Sequence, residues 1–212
     1  MSELKALLEV AATLARLRIP WFVAGGWAID LHLGRATRAH ADIDTLILRD
    51  DQAALRGSND FELRKVVPHP EGLMNRGTTE RWPAGARLTL PVHQLNAYRP
   101  GDPVLAEIDA AHLDATHRWW FQIMLAESDG RDWIYRRDPA VRRPLESIGF
   151  HPLWGLPYLA PEIVLLFKAK LVQDKDREDF RNALPHMSID ARRWLRDALA
   201  RCHPGHEWLR AL

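Results

Sequence analysis

The chain has 212 residues, with Lys+Arg 29 against Asp+Glu 28 and a formal charge of +1. That balance excludes a global attraction to nucleic acid or an anionic membrane, so any polyanion has to be met by a local basic site. The composition, 47% hydrophobic and 27% charged, is that of a globular protein, and a chain of this size buries about 70% of its unfolded surface. One cysteine, Cys202, excludes an intrachain disulfide and a CxxC metal site. The first twenty residues lack a basic start and an apolar core, and no apolar run approaches the about 18 residues of a membrane span. A cytoplasmic protein is expected, with no membrane partner.

Residues 3–18 space Leu4, Leu7, Leu8, Ala11, Leu14 and Leu17 for a helix, with Ser2 available as N-cap and Pro20 as its stop. "WFVAGG" reads as a short buried strand entering a glycine turn, and "WAIDLHL" as two helical turns closed by Gly34. "RATRAHA" is a basic loop, "DIDTLILR" a strand, "DDQAALR" a helix start and "FELRKVV" a third strand. Proline and glycine across 68–103 predict irregular chain with short strands. "RWWFQIMLAE", "SDGR" and "DWIYRR" predict a hairpin around a glycine turn. Near residue 150 the pattern turns helical, through "APEIVLLFKAKL" with Pro161 in the first turn, "DKDREDFRNAL" and "IDARRWLRDALARC". The expected organisation is an α/β (α+β) domain with a mixed sheet over 1–150 and a small C-terminal helical bundle over 151–212. The nine tryptophans are expected mainly as core aromatics.

The chemistry-bearing pattern is "GGWAIDLHLGRATRAHADID". On a strand, Asp42 and Asp44 would share one face, roughly 6.6 Å apart at ~3.3 Å per residue, with Ile43, Thr45 and Ile47 on the other. Two carboxylates that close repel unless a cation lies between them. Mg²⁺ suits them, because it takes oxygen ligands and shares its shell with phosphates. A glycine turn opening a helix offers backbone N–H groups to a phosphate. Singly, a "GG" before a helix is a tight turn and a D-x-D a solvated strand end. Together in one supersecondary unit they point to phosphoryl or nucleotidyl transfer, where positioning and charge neutralisation do most of the catalysis.

This stretch resembles the signature of the aminoglycoside 2''-nucleotidyltransferase-like family, in the DNA polymerase beta nucleotidyltransferase superfamily, whose pattern is G-[GS], a spacer, then D-x-[DE]. The match runs through Trp27, Asp30, Gly34, Arg35, Thr37, Arg38 and His40. Downstream, "WIYRRDP", "PYLAPEIVLLFKAK", "KDREDF" and "PGHEWL" resemble segments of bacterial members of the same group. The resemblance implies a nucleotidyltransferase fold. It also implies Mg²⁺-dependent transfer of a nucleoside monophosphate, AMP from ATP, to a hydroxyl of a small acceptor, with an aminoglycoside-like antibiotic as the family-led guess. It assigns Gly25, Gly26 and Trp27 to the phosphate-binding turn and Asp42 and Asp44 to the metal.

The superfamily adds a third carboxylate from a later strand, and here the chain departs from it. "FQIMLAE" presents Gln122, Met124 and Ala126 on one face, and Phe121, Ile123 and Leu125 on the other, with Glu127 at the end. Gln122 can neither take a proton nor hold Mg²⁺ strongly, so Glu127, re-aimed by a bulge, is the candidate third catalytic acid. Without it, an NTP-binding regulatory protein of antitoxin-like kind is the alternative. A transferase acting on tRNA or protein is a further one, against which the near-zero charge speaks. Arg38 and His40 either contact the triphosphate or pair with Asp30 and Asp42 to shape the loop, and Arg35 is assigned to structure. Lys168 is the lysine expected at the triphosphate, sharing a face with Lys175 if the helix continues. Asp176 and Asp179 are expected in ion pairs. His203 and His206 in "HPGH" read as a turn, and a zinc site at His40, Asp42 and Asp44 would leave the glycines unexplained.

Overall fold

The computed structural model describes residues 3–68, 78–111, 119–153 and 155–212. In chain order its elements are α1 (Glu3–Ala15), β1 (Trp21–Val23), α2 (Gly25–Leu33), β2 (Asp44–Leu48), β3 (Glu62–Val67), β4 (Thr78–Arg81), β5 (Gln94–Tyr98) and α3 (Val104–Ala111). There follow β6 (Phe121–Ser128), β7 (Asp132–Ile134), β8 (Arg142–Pro144), β9 (Gly149–Phe150), β10 (Tyr158–Leu159), α4 (Pro161–Lys168), α5 (Asp174–Ala183) and α6 (Ile189–Cys202). Two compact units result, Met1–Trp21 with Ala41–Ala126, and Phe22–His40 with Glu127–Leu212. Among the described residues no helix is long and apolar enough to cross a membrane. Ser2, the expected cap of α1, lies outside the described residues.

The first unit is built on a mixed sheet. Strands β4, β3, β5 and β6 pair antiparallel in that order, and β2 joins β6 in parallel. Alternation explains its faces: Thr45 and Ile47 of β2, Leu95 and Ala97 of β5, and Phe121 and Ile123 of β6 are all fully buried. The expected third strand is β3. "DDQAALR" does not start an α-helix; Arg49–Gly57 is 3₁₀ instead. The Gln52 amide holds this tighter turn, donating to Arg49 O at 2.8 Å and accepting from Leu88 N at 2.6 Å.

In the second unit β1 lies parallel to β10, and β10 antiparallel to β9. The expected hairpin is present, with Glu127 opposite Ile134, Ser128 opposite Trp133, and Gly130 at φ 87° in its turn. Helices α2, α4, α5 and α6 pack together, and Pro161 opens α4 as its first residue. The helix does not run on to Lys175: α4 ends at Lys168, and α5 starts afresh where Gln173 and Asp176 form a capping box. Trp133 sits among Tyr135, Phe167 and Trp194 with ring centroids 6.0–6.4 Å apart, and Phe180 stacks on Trp208 at 4.5 Å. Trp21, Trp27, Trp133 and Trp208 are buried, the core role expected of them.

Ile123 is fully buried in β6 between β2 and β5. Ile123→Ala should therefore destabilise the protein by about 2–5 kcal/mol in urea unfolding. Leu153, 94% exposed, should change stability by less than about 0.5 kcal/mol when replaced by alanine.

Candidate active site

The two aspartates belong to the first unit. β2 begins at Asp44, so Asp42 precedes the strand rather than lying within it. The chain before β2 still feeds the ladder, because Gln122 N donates to Ile43 O at 2.9 Å. Asp42 is exposed and Asp44 half-buried, whereas Ile43 and Thr45 are buried. Register sets what stands beside Asp44: Gln122 is its partner on β6, and Asn96 is the partner of Gln122 on β5. Gln122 Nε2 donates to Asn96 Oδ1 at 3.1 Å, so the buried row next to the aspartate is made of amides. Asn96 is fully buried. Sequence reasoning missed Asn96, because alternation gives a residue's face but not its neighbour.

The glycine turn belongs to the second unit. Ala24 caps α2 with no side-chain hydrogen bond to the first N–H groups, and Gly25 has φ 59°, a left-handed conformation that favours glycine. Gly26 is required for a different reason. A methyl group there would run into Arg38 Nη2 and lie 2.8 Å from the His40 ring. Both neighbours are held. His40 Nε2 donates to the buried Asp30 Oδ2 at 2.6 Å, and its ring stacks on Trp27 at 4.3 Å. Asp30 Oδ1 in turn accepts from Thr37 N at 3.1 Å and from the Thr37 hydroxyl. Gly34 closes α2 at φ 67°, as its position suggested. Arg35 is exposed.

The carboxylate that Arg38 grips is not Asp30 but one on α5. Arg38 Nε and Nη2 each donate at 3.0 Å to the two oxygens of Asp179, which is fully buried. Lys168 Nζ reaches Asp179 Oδ2 at 3.0 Å and Asp176 Oδ1 at 2.6 Å. Asp176 Oδ2 accepts from Gln173 N at 3.0 Å, which fixes that acid at the start of α5. Asp176 and Asp179 thus sit in the ion pairs expected of them. Burial alone would push the Asp179 carboxyl up, but hydrogen bonds from Arg38 and Lys168 and the charges of both hold it below the ordinary carboxylate range. The same bond to Asp179 raises the Arg38 guanidinium above its usual value.

Of the predicted cofactor-binding residues, Gly26, Trp27, Arg38, His40 and Lys168 are thereby joined in one contact network. Lys170 and Lys175 are exposed. Glu127 stands opposite Ile134 in the hairpin. His203 and His206 form the expected turn after α6, ring centroids 6.2 Å apart, and burial lowers both from the ordinary histidine value. Among the described residues no three His, Cys, Asp or Glu side chains are grouped so as to hold a metal ion.

Comparison with known proteins agrees with the signature. The family model for aminoglycoside-2''-adenylyltransferase matches residues 6–58. A 2''-aminoglycoside nucleotidyltransferase of Klebsiella pneumoniae is 40% identical over 43 residues, 20% of this chain and 24% of that protein, so the match spans about a quarter of the relative. A lincomycin-bound lincosamide antibiotic adenylyltransferase, LnuA, superposes with a TM-score of 0.52 at 14% identity, over 88% of this chain and 99% of that one. The solution structure of the antibiotic-resistance factor ANT(2'')-Ia gives 0.51 at 16% identity, over 95% and 94%. ANT(2'')-Ia with adenylyl-2''-tobramycin gives 0.50 at 13%, over 93% and 98%. The chain has the nucleotidyltransferase fold, with the mixed sheet and C-terminal helices expected of it.

Gly26→Ala should cost about 1–3 kcal/mol of stability, measured by denaturant unfolding, because neither Arg38 nor His40 can swing clear. Asp179 carries a pH signature. Its folded pKa is depressed, so its stabilisation is present above the unfolded value of about 3.9 and fades as pH falls through the folded value. The acid limb of Tm against pH should be shallower in Asp179→Asn than in the wild type.

Proposed function

We propose that the protein is a nucleotidyltransferase that moves AMP from ATP to a hydroxyl of a small acceptor, of which an aminoglycoside-like antibiotic is the first to test. The observation that carries the reading is the cluster around Gly26. An uncapped helix start, Arg38 and Lys168 lie together in a chain whose overall charge is near zero. A triphosphate needs such a local concentration of N–H donors and cations. The first N–H groups of α2 then donate to phosphate oxygens, while Arg38 and Lys168 balance phosphate charge. The acceptor oxygen bonds to the α-phosphorus as the bond to the β-phosphate oxygen breaks. Pyrophosphate leaves, and the hydroxyl proton passes to a carboxylate, for which Glu127 is the candidate.

The donor set fits a magnesium ion. Mg²⁺ is commonly held by one or two carboxylates, with water and substrate phosphates completing its shell; Asp42 and Asp44 supply the carboxylates. When bound there it would neutralise charge on the triphosphate. A second reading, a protein that binds nucleotide but transfers little, is favoured by Gln122, an amide, standing opposite Asp44.

Incubation with α-labelled ATP, GTP, CTP and UTP, Mg²⁺ and pooled aminoglycosides, lincosamides, tRNA and protein tests both. Label on a small acceptor, reduced on the order of 100-fold or more by Asp44→Asn, supports the first reading. Label on tRNA or protein would move the acceptor class. If the wild type moves no label while Mg²⁺ with ATP still raises its Tm, and Gln122→Glu begins to transfer, the second reading holds.

A further inference from the structure

Arg38 and Lys168 come from separate segments, the loop after α2 and the end of α4. One carboxylate joins them. Asp179 is fully buried and grips the Arg38 guanidinium through both oxygens, a fork-to-fork pairing that fixes the plane of the guanidinium as well as its position. Its Oδ2 also holds Lys168 Nζ at 3.0 Å. Asp176, three residues earlier on α5, takes a second bond from that amine and is itself tied to the backbone of Gln173. In this orientation Arg38 Nη2 lies against the α-carbon of Gly26, in the first turn of α2. Arg38 donates through Nε, Nη1 and Nη2 to Asp179 and Ala39 O, which uses three of its five N–H groups.

We propose that Asp179 is a positioning residue for nucleotide binding: from α5 it aims Arg38 and Lys168 together at the glycine turn, where they meet the polyphosphate. This rests on the nucleotidyltransferase reading of that turn. Simple charge counting expects the opposite effect from the one positioning gives. Removing a carboxylate beside two cations leaves more uncompensated positive charge and should tighten the hold on a polyanion. If aim matters more than charge, its removal should loosen that hold.

The test uses the full chain and measures the Kd of ATP with Mg²⁺, and of inorganic tripolyphosphate, by calorimetry, with Tm recorded for each variant. Asp179→Asn is expected to weaken both ligands by about tenfold or more. Arg38→Lys, which keeps the charge and loses the fork, is expected to weaken them similarly, and the double variant little further, because the two changes break one interaction. Asp179→Glu, keeping the acid, should recover part of the loss. If Asp179→Asn does not fold, Arg38→Lys with the same two ligands decides. Binding equal to or tighter than wild type in the folded variants, with only Tm lowered, would overturn the positioning role and leave the proposed function standing. A wild type that binds neither ligand would overturn the proposed function, and this inference with it.

Discussion

Three segments of the second unit meet at one buried carboxylate. Asp179, with no exposed surface, survives as a carboxylate because Arg38 and Lys168 both reach it. An isolated ion at such a site would cost several kcal/mol, so these three side chains stand or fall together. What the pairing contributes to net stability is modest by that arithmetic. What it contributes to geometry is larger: a loop after α2, the end of α4 and the face of α5 are brought to one point. The sequence had marked two of these residues for another duty, and the duties are compatible. A cation held by a buried acid keeps its place before any ligand arrives.

Gly26 shows how closely that place is fixed. Its missing side chain leaves room for Arg38 Nη2 and the His40 ring, and each of those is held from its far side, by Asp179 and by Asp30 with Trp27. The residues of the signature between Gly26 and His40 are therefore explained by packing as well as by chemistry. Trp27, Asp30, Thr37 and His40 form one chain of contacts that sets the loop. In the first unit the equivalent constraint is register. Parallel pairing sets Gln122 beside Asp44 and antiparallel pairing sets Asn96 beside Gln122, so neutral amides occupy the row next to the acid.

Local features were legible in the sequence. The strand–glycine–helix unit closed by Gly34, the hairpin at Gly130 and the helix opened by Pro161 each rest on contacts a few residues apart, where turn and cap chemistry decides. Two expectations gave way to interactions that periodicity does not encode: Gln52 holds the segment after β2 in a 3₁₀ turn through Leu88, and a capping box at Gln173 separates Lys168 from Lys175. The central ion pair was beyond reach. Arg38 and Asp179 are 141 residues apart, and the loop offered Asp30 and Asp42 as nearer acids. "KDREDF" did hold a usable hint, since Asp176 and Asp179 three apart share a helix face, but nothing in one sequence says which cations that face meets.

The proposed transfer requires Asp42 and Asp44 to hold a divalent ion together with ATP. Titration of the isotope-labelled protein with Mn²⁺ and ATP, followed by NMR line broadening, tests it directly. The expected result is ATP-dependent loss of the backbone signals of Asp42 and Asp44, and no such loss in Asp42→Asn/Asp44→Asn. Broadening centred on other acids, with the signals of Asp42 and Asp44 unchanged, would contradict it.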